Sequence, residues 1–81
     1  MDEYLGVIKL FAGHYVPKNY VECNGQLLSC KQWDALYAIL GNVYGGTEEI
    51  NFNLPKMDPP YEGMRYMICV YGVFPVSNEW Q

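Results

Sequence analysis

The chain has 81 residues, of which 51% are hydrophobic, and it carries a formal net charge of −4; this length suits one folded domain and is too short for two. The five Lys and Arg side chains never cluster, which excludes the basic footprint of a nucleic-acid-binding protein. No apolar run approaches the roughly 20 residues of a membrane span, and the acidic residues 2 and 3 are unlike the basic start of a secretory signal.

The small size and the cysteines bear on how the domain is stabilised. A domain of this size hides only about 60% of the surface that its unfolded chain exposes, so such domains often depend on a metal, on disulfides or on copies of themselves. Cys23, Cys30 and Cys69 are odd in number and lie among apolar residues, which predicts buried, reduced thiols and a reducing compartment. Self-association is therefore the expected source of additional stability.

The first 28 residues predict three strands and one tight turn. Residues 4–11 are mostly apolar and predict a largely buried strand, and residues 20–23 predict a short second strand. Asn24 and Gly25 tolerate the positive φ angles of a two-residue type I′ turn. We therefore expect residues 26–28 to return as the hairpin partner of the second strand.

A single amphipathic helix is predicted from Lys31 to Leu40. Ser29 can cap its start while Gln32 reaches back to the amide of Ser29, as in a capping box. Gly41 follows the last turn and can adopt the left-handed conformation that ends a helix. The apolar face recurs at intervals of three and four residues and comprises Trp33, Leu36, Tyr37 and Leu40.

The second half of the chain predicts a loop, a short strand, a connector and a long strand. Residues 44–49 predict an exposed loop, residues 50–54 a brief extended segment that Pro55 ends, and residues 56–63 an extended connector. Residues 64–74 are apolar on both alternating faces, which predicts a central strand. The expected fold is therefore α+β: a small mixed or antiparallel sheet with one helix, in a single domain over residues 1–81.

The residues that could carry chemistry predict no catalytic or cofactor site. His14 and the three cysteines could supply four zinc ligands, but none of them form the close pair that is usual in structural zinc sites. A cysteine nucleophile assisted by His14 lacks an orienting third residue. The acidic pairs Glu48 with Glu49, and Asp58 with Glu62, are typical of solvated loops. We expect no enzyme, no metal and no cofactor.

Exposed tyrosines and the acidic loop are the candidate protein-contact residues. Tyrosine is enriched at protein interfaces, although amphipathic rings that cover a thin core would have the same pattern. The candidates are Tyr15, Tyr20, Tyr44, Glu48, Glu49, Tyr61 and Trp80.

Short motifs follow one another in a distinctive order and spacing along residues 4–55. The first are Gly6, Ile8, Phe11-Ala12-Gly13, Pro17 and the run from Cys23 to Leu28. They continue with Gln32, Ala35-Leu36, Leu40-Gly41, Tyr44-Gly45-Gly46, Phe52 and Leu54-Pro55. This ordered set resembles the phage tail collar domain, a family that includes short tail fibre proteins and the bacterial proteins called microcystin-dependent.

The chain departs from the family pattern after Leu54-Pro55. Family members usually continue with an aspartate and a Gly-Arg segment into a longer, variable, receptor-facing region. Here a short connector, residues 56–63, leads directly to the closing strand at residues 64–74. The resemblance therefore implies the scaffold without implying receptor binding.

Two functions follow as expectations from this resemblance. The first is a structural module that self-associates, as a trimer by family analogy, in a phage-tail or prophage-related assembly. The second is a host-encoded protein-binding module, associated with phage recognition, defence or a toxin, that has left the virion. The corresponding locations are the virion tail and the bacterial cytoplasm.

Overall fold

The computed structural model, which describes residues 3–76, has five short strands and one short helix in that part of the chain. Its strands form antiparallel pairs in two small sheets, so the predicted α+β fold is confirmed. The elements in chain order are β1 (Ile8–Phe11), β2 (Tyr20–Glu22), β3 (Leu27–Ser29), α1 (Asp34–Leu40), β4 (Asn51–Asn53) and β5 (Arg65–Cys69).

The larger sheet has three strands in the order β1-β5-β2. Ile68 of β5 lies opposite Ile8 on one side and Val21 on the other, so the last strand of the chain joins the first two. Met67, Ile68 and Cys69 are each at most 1% exposed. The prediction of a central strand is confirmed, although β5 is shorter than the predicted 64–74.

The first strand differs from its prediction in length and burial. It starts at Ile8 instead of Tyr4, because Gly6 adopts φ +90 and interrupts the extended backbone. Tyr4 instead forms an isolated parallel bridge with Val73. Since β1 is an edge strand, Leu10 is 38% exposed, and the expectation of a largely buried strand was wrong.

The predicted hairpin between β2 and β3 is also wrong. A type I′ turn needs positive φ at both central residues, and Gly25 has φ +82 whereas Asn24 has no positive φ. Asn24 instead forms an antiparallel bridge with Lys56. The bridge continues the register of the second sheet, in which Leu28 of β3 lies opposite Phe52 of β4. Residues 23–29 therefore run beside residues 51–57, whose apolar side chains enter the core.

The helix begins three residues later than predicted. Its N-cap is Trp33, which makes no side-chain capping hydrogen bond, so the predicted capping box is wrong. Ser29 belongs to β3, and its carbonyl oxygen accepts the Trp33 N–H at 3.0 Å. The predicted end is confirmed, because Gly41 has φ +58 and donates its N–H to the Tyr37 carbonyl oxygen at 2.7 Å.

The core lies between the two sheets and the helix. Leu36, Phe52, Leu54 and Ile68 are at most 1% exposed, and partly buried residues of the helix pack against them. All three cysteines are buried and unpaired, as predicted. Within residues 3–76, no helix is long and apolar enough to cross a membrane.

Candidate functional site

Cys23 and Cys69 are unsuited to nucleophilic chemistry. Burial, and to a smaller extent the neighbouring Glu22 carboxylate, together raise the pKa of Cys23 to about 11. Burial likewise raises the pKa of Cys69, whose Sγ–H donates to the Tyr71 carbonyl oxygen at 3.3 Å. A reactive cysteine requires the opposite shift. Across residues 3–76, no three His, Cys, Asp or Glu side chains are grouped as metal ligands.

Tyr20 lies half-buried on β2 and lines two open clefts. One cleft, of about 530 Å³, is bordered by Glu3 and Lys18, and the other, of about 220 Å³, by Phe11 and Met67. Desolvation raises the pKa of Tyr20, so its hydroxyl stays protonated near neutral pH. Tyr20 therefore lines concave surface, and its role in protein contact stays a prediction.

The other predicted contact residues divide into separate groups. Tyr15 is 60% exposed and meets the ring of Phe11 edge-on, with ring centres 5.5 Å apart. Tyr61 is 69% exposed in the connector. Trp80 lies outside the residues that the structure describes. The three remaining candidates share one loop: Tyr44, Glu48 and Glu49.

This loop presents an exposed apolar and acidic surface between α1 and β4. Val43 is 78% exposed and Ile50 is 62% exposed, at the two ends of the loop. We name Val43, Tyr44, Glu48, Glu49 and Ile50 the loop surface. The prediction that residues 44–49 form an exposed loop is confirmed for most of these residues, with Gly45 half-buried.

Asn42 holds the loop in place through three side-chain hydrogen bonds. Its Nδ2 donates to the carbonyl oxygens of Gly45 at 3.0 Å and Asn51 at 2.9 Å. Its Oδ1 accepts the Tyr37 hydroxyl at 2.7 Å, and that hydroxyl in turn accepts the Glu49 N–H at 2.9 Å. The loop surface is therefore tied to both the helix and β4.

Gly46 is required by this loop geometry. It has φ +101, and a Cβ atom there would lie 2.6 Å from both the Asn51 carbonyl oxygen and the Phe52 Cα. Both neighbours are backbone atoms, which cannot move aside as a flexible side chain can. The positive φ of Gly46 favours glycine, and its close packing on β4 is a second reason for glycine at this position.

A second group of exposed apolar side chains, near the two ends of the described residues, was missed by the sequence analysis. It comprises Tyr4, Tyr71, Val73, Phe74 and Val76, which we name the terminal surface; their exposed fractions are 57%, 62%, 44%, 49% and 86%. The sequence analysis placed residues 70–74 in a central strand and left residue 76 in a polar tail. The alternating apolar pattern carries no signal that β5 ends at Cys69.

Backbone pairing fixes the two segments of the terminal surface against each other. The Leu5 N–H donates to the Val73 carbonyl oxygen at 2.8 Å, and the Val73 N–H donates to the Glu3 carbonyl oxygen at 2.9 Å. The ring of Tyr71 packs on Trp33 at the start of α1, with ring centres 5.2 Å apart. These hydrogen bonds and this ring contact therefore fix the backbone that carries the exposed side chains.

A family comparison matches residues 6–59 to the Phage Tail Collar Domain. The chain belongs to this family. The match covers more than half of the chain and includes β1 to β4 and α1. Comparisons with curated proteins and with solved structures give no match. The family is a structural domain of phage tails, which confirms the resemblance inferred from the motifs.

The collar match ends before β5 begins. Yet β1 and β2 pair with β5 and not with each other, so the larger sheet of this chain needs residues beyond the matched region. The terminal surface lies on both sides of the match, because Tyr4 precedes it and residues 71–76 follow it. This surface is therefore a feature of this chain outside the matched collar segment.

Proposed function

We propose that this collar domain is a non-enzymatic structural module that self-associates, as a trimer by family analogy, in a phage-tail or prophage-related assembly. The observation that carries the proposal is the family match over residues 6–59, which contains the strands β1 to β4 and the helix, five of the six secondary-structure elements described. A structural tail domain acts by holding copies and neighbours in place, which requires contact surfaces and no catalytic centre.

The distribution of apolar side chains supports self-association. Among residues 3–76, ten hydrophobic side chains are buried, whereas thirteen large hydrophobic ones are exposed, several of them by more than 60%. A scattered exposed Leu or Val needs no explanation, but exposed apolar residues grouped on one surface mark interaction sites. Such surfaces would be covered when copies associate.

Size-exclusion chromatography with light scattering tests this proposal, followed by electron microscopy of the purified chain. We expect a mass of three chains at micromolar concentration and particles with a symmetry axis. A protein that stays monomeric up to millimolar concentration would contradict self-association. Filaments instead of closed particles would indicate a head-to-tail interface that does not close.

The loop surface favours a second candidate function, in which the collar domain binds a different protein outside a virion. The supporting observation is that exposed Val43 and Ile50 flank two adjacent carboxylates on a loop that Asn42 ties down. Such a surface suits a partner with an apolar patch and basic neighbours. Neighbouring tail genes in the genome would favour the assembly role, and a neighbouring toxin or defence gene would favour this one.

A further inference from the structure

We propose that the smaller cleft beside Tyr20 binds the exposed segment Pro59-Pro60-Tyr61 of a second copy of this chain. This inference rests on the proposed self-association and names the two surfaces that meet in it. We name residues 58–62 the connector tip. The cleft, which we name the groove, is lined by Lys9, Phe11, Pro17, Tyr20 and Met67.

The groove lies on one face of the larger sheet and crosses its three strands. Lys9 of β1 lies opposite Met67 of β5, and Phe11 follows two residues later on the same face. Tyr20 of β2 lies opposite Cys69, two residues from Met67, and shares that face. The alternate residues of the three strands point to the other face and pack in the core: Ile8, Val21 and Ile68.

Contacts within the chain hold the walls of the groove in place. The Pro17 carbonyl oxygen accepts the Tyr20 N–H at 3.2 Å, which closes a four-residue turn. The ring of Phe11 meets Tyr15 edge-on and leaves no room for a Cβ atom at Gly13. A preformed groove loses less affinity to ordering when it binds a partner.

The size and lining of the groove suit proline and aromatic rings. Its volume of about 220 Å³ is below the roughly 300–1,000 Å³ of most small-molecule pockets. Aromatic-lined grooves bind proline-rich segments in the polyproline II conformation, which is preformed and loses little entropy on binding. Because desolvation raises the pKa of Tyr20, its hydroxyl stays protonated and can donate to a carbonyl oxygen of such a segment.

The connector tip is such a segment. All five of its residues are exposed, and Tyr61 is 69% exposed. A residue before proline is restricted to extended or polyproline II geometry, which applies to both Asp58 and Pro59. Pro59 and Pro60 have no backbone N–H that burial would leave without an acceptor.

The surroundings of the groove are basic for so acidic a chain. Three of the five basic side chains lie there: Lys9 lines the groove, Arg65 lies on the same sheet face, and Lys18 lines the neighbouring cleft. Two carboxylates lie among them, with Glu3 3.1 Å from Lys9 and Glu22 3.8 Å from Arg65. Both cations remain partly exposed, and each has further donors for another carboxylate.

Charge and symmetry both favour the connector tip as the occupant. It carries Asp58 and Glu62 and no Lys or Arg, so docking brings opposite charges together. The contact is head-to-tail, because the groove of one copy receives the connector tip of the next. Such a contact closes into a ring of three when each copy is rotated by a third of a turn, whereas a surface that binds itself pairs only two copies.

Two exposed substitutions with matched controls test the assignment. Tyr61→Ala changes the connector tip, and Tyr44→Ala makes the same change on the loop surface. Lys9→Glu reverses a charge at the groove, and Lys31→Glu reverses one at the start of the helical region. Sedimentation equilibrium gives the dissociation constant between copies, and circular dichroism with thermal unfolding verifies that each variant folds.

We expect Tyr61→Ala and Lys9→Glu each to raise the dissociation constant at least tenfold, and both controls to change it less than threefold. If the two variants behave like their controls, the assignment is wrong while self-association stands. A wild-type chain that is monomeric at all concentrations would instead refute the proposed function itself. The two failures are therefore distinguishable.

Mixing the two variants tests the head-to-tail contact directly. The Tyr61→Ala chain keeps an intact groove, and the Lys9→Glu chain keeps an intact connector tip. The mixture should form particles of two chains at a concentration at which each variant alone is monomeric. A mixture that stays monomeric would overturn the proposal.

A charge exchange separates the contact from a structural role of Lys9. Lys9→Glu combined with Asp58→Lys in one chain again places opposite charges on the groove and on the connector tip of the next copy. The double variant should associate at least threefold more tightly than Lys9→Glu alone. No recovery would contradict the pairing of these two surfaces.

Discussion

Removing the side chain of Asn42 should destabilise the loop between α1 and β4 that carries the loop surface. The Asn42→Ala variant loses one hydrogen bond from Tyr37 and two to the carbonyl oxygens of Gly45 and Asn51. Each such bond contributes about 0.5–1.5 kcal/mol net. The Asn51 carbonyl oxygen loses the Asn42 donor, whereas the Gly45 carbonyl oxygen keeps the Asn53 N–H at 3.2 Å. The expected loss is about 2–4 kcal/mol in the free energy of unfolding.

This loss is large for so small a domain. Stability of about 0.05–0.15 kcal/mol per residue gives roughly 4–12 kcal/mol for the whole chain, and each kcal/mol lowers Tm by about 4–8 °C at this size. Urea denaturation followed by circular dichroism gives the free energy directly. Asn24→Ala is the control, because Asn24 is exposed and its side chain makes no hydrogen bond within residues 3–76; it should lose less than about 0.5 kcal/mol.

The double-mutant cycle with Tyr37→Phe sharpens the test. Because the Tyr37 hydroxyl donates to Asn42 at 2.7 Å, the two substitutions should be non-additive by at least about 0.5 kcal/mol. If Asn42→Ala lowers the free energy of unfolding by less than about 1 kcal/mol, or by as much as Asn24→Ala does, the hydrogen bonds of Asn42 do not stabilise the loop.

Three further predictions concern the loop, the core and the buried thiols. Gly46→Ala should destabilise the domain more than Gly41→Ala does, because a Cβ at Gly46 would meet backbone of residues 51 and 52 in addition to the strain of its positive φ. Gly41→Ala has nothing within 4 Å and should lose only the cost of about 1–3 kcal/mol that its backbone conformation, φ +58 and ψ −150, imposes on a residue with a Cβ; equal losses in urea would contradict this. Phe52→Ala should lose about 3–5 kcal/mol, since the ring is 0% exposed; an unchanged urea midpoint would contradict its place in the core. Cys23, whose pKa rises from 9.0 unfolded to about 11 folded, should contribute stability in full below pH 9 that falls progressively from pH 9 to 11, as the unfolded thiol ionises first. The fall should be smaller in Cys23→Ala by roughly 2–3 kcal/mol at pH 11, and identical pH profiles would contradict the raised pKa.

The collar family match and the structure bear on different parts of the protein. The match covers β1 to β4 and the helix, and it makes the chain a structural phage-tail type of domain. The structure adds that β5 closes the larger sheet and that the chain beyond it pairs with Tyr4. The shortened region after Pro55 therefore leads straight into an element that the fold requires, and receptor recognition is not part of the proposal.

Local sequence chemistry predicted the features that depend on one residue and its immediate neighbours. Gly41 ends the helix because a glycine adopts its φ of +58 without a steric penalty. The apolar residues of β5 indicated a central strand because both of its faces are covered. The buried state of the cysteines followed from their apolar settings. The ordered collar motifs identified the family for the same reason, since their spacing is a property of the chain alone.

Tertiary structure decided which segments pair and which apolar residues stay exposed. Asn24-Gly25 favours a local hairpin and Ser29 favours a helix cap, but each preference is worth only about 1 kcal/mol. Burying one large apolar side chain is worth about 1.5–3 kcal/mol, and pairing residues 23–29 with residues 51–57 places Phe52 and Leu54 in the core. The sequence by itself determined the elements and the family. Only long-range burial decided their partners, and with them the two surfaces left open for contact.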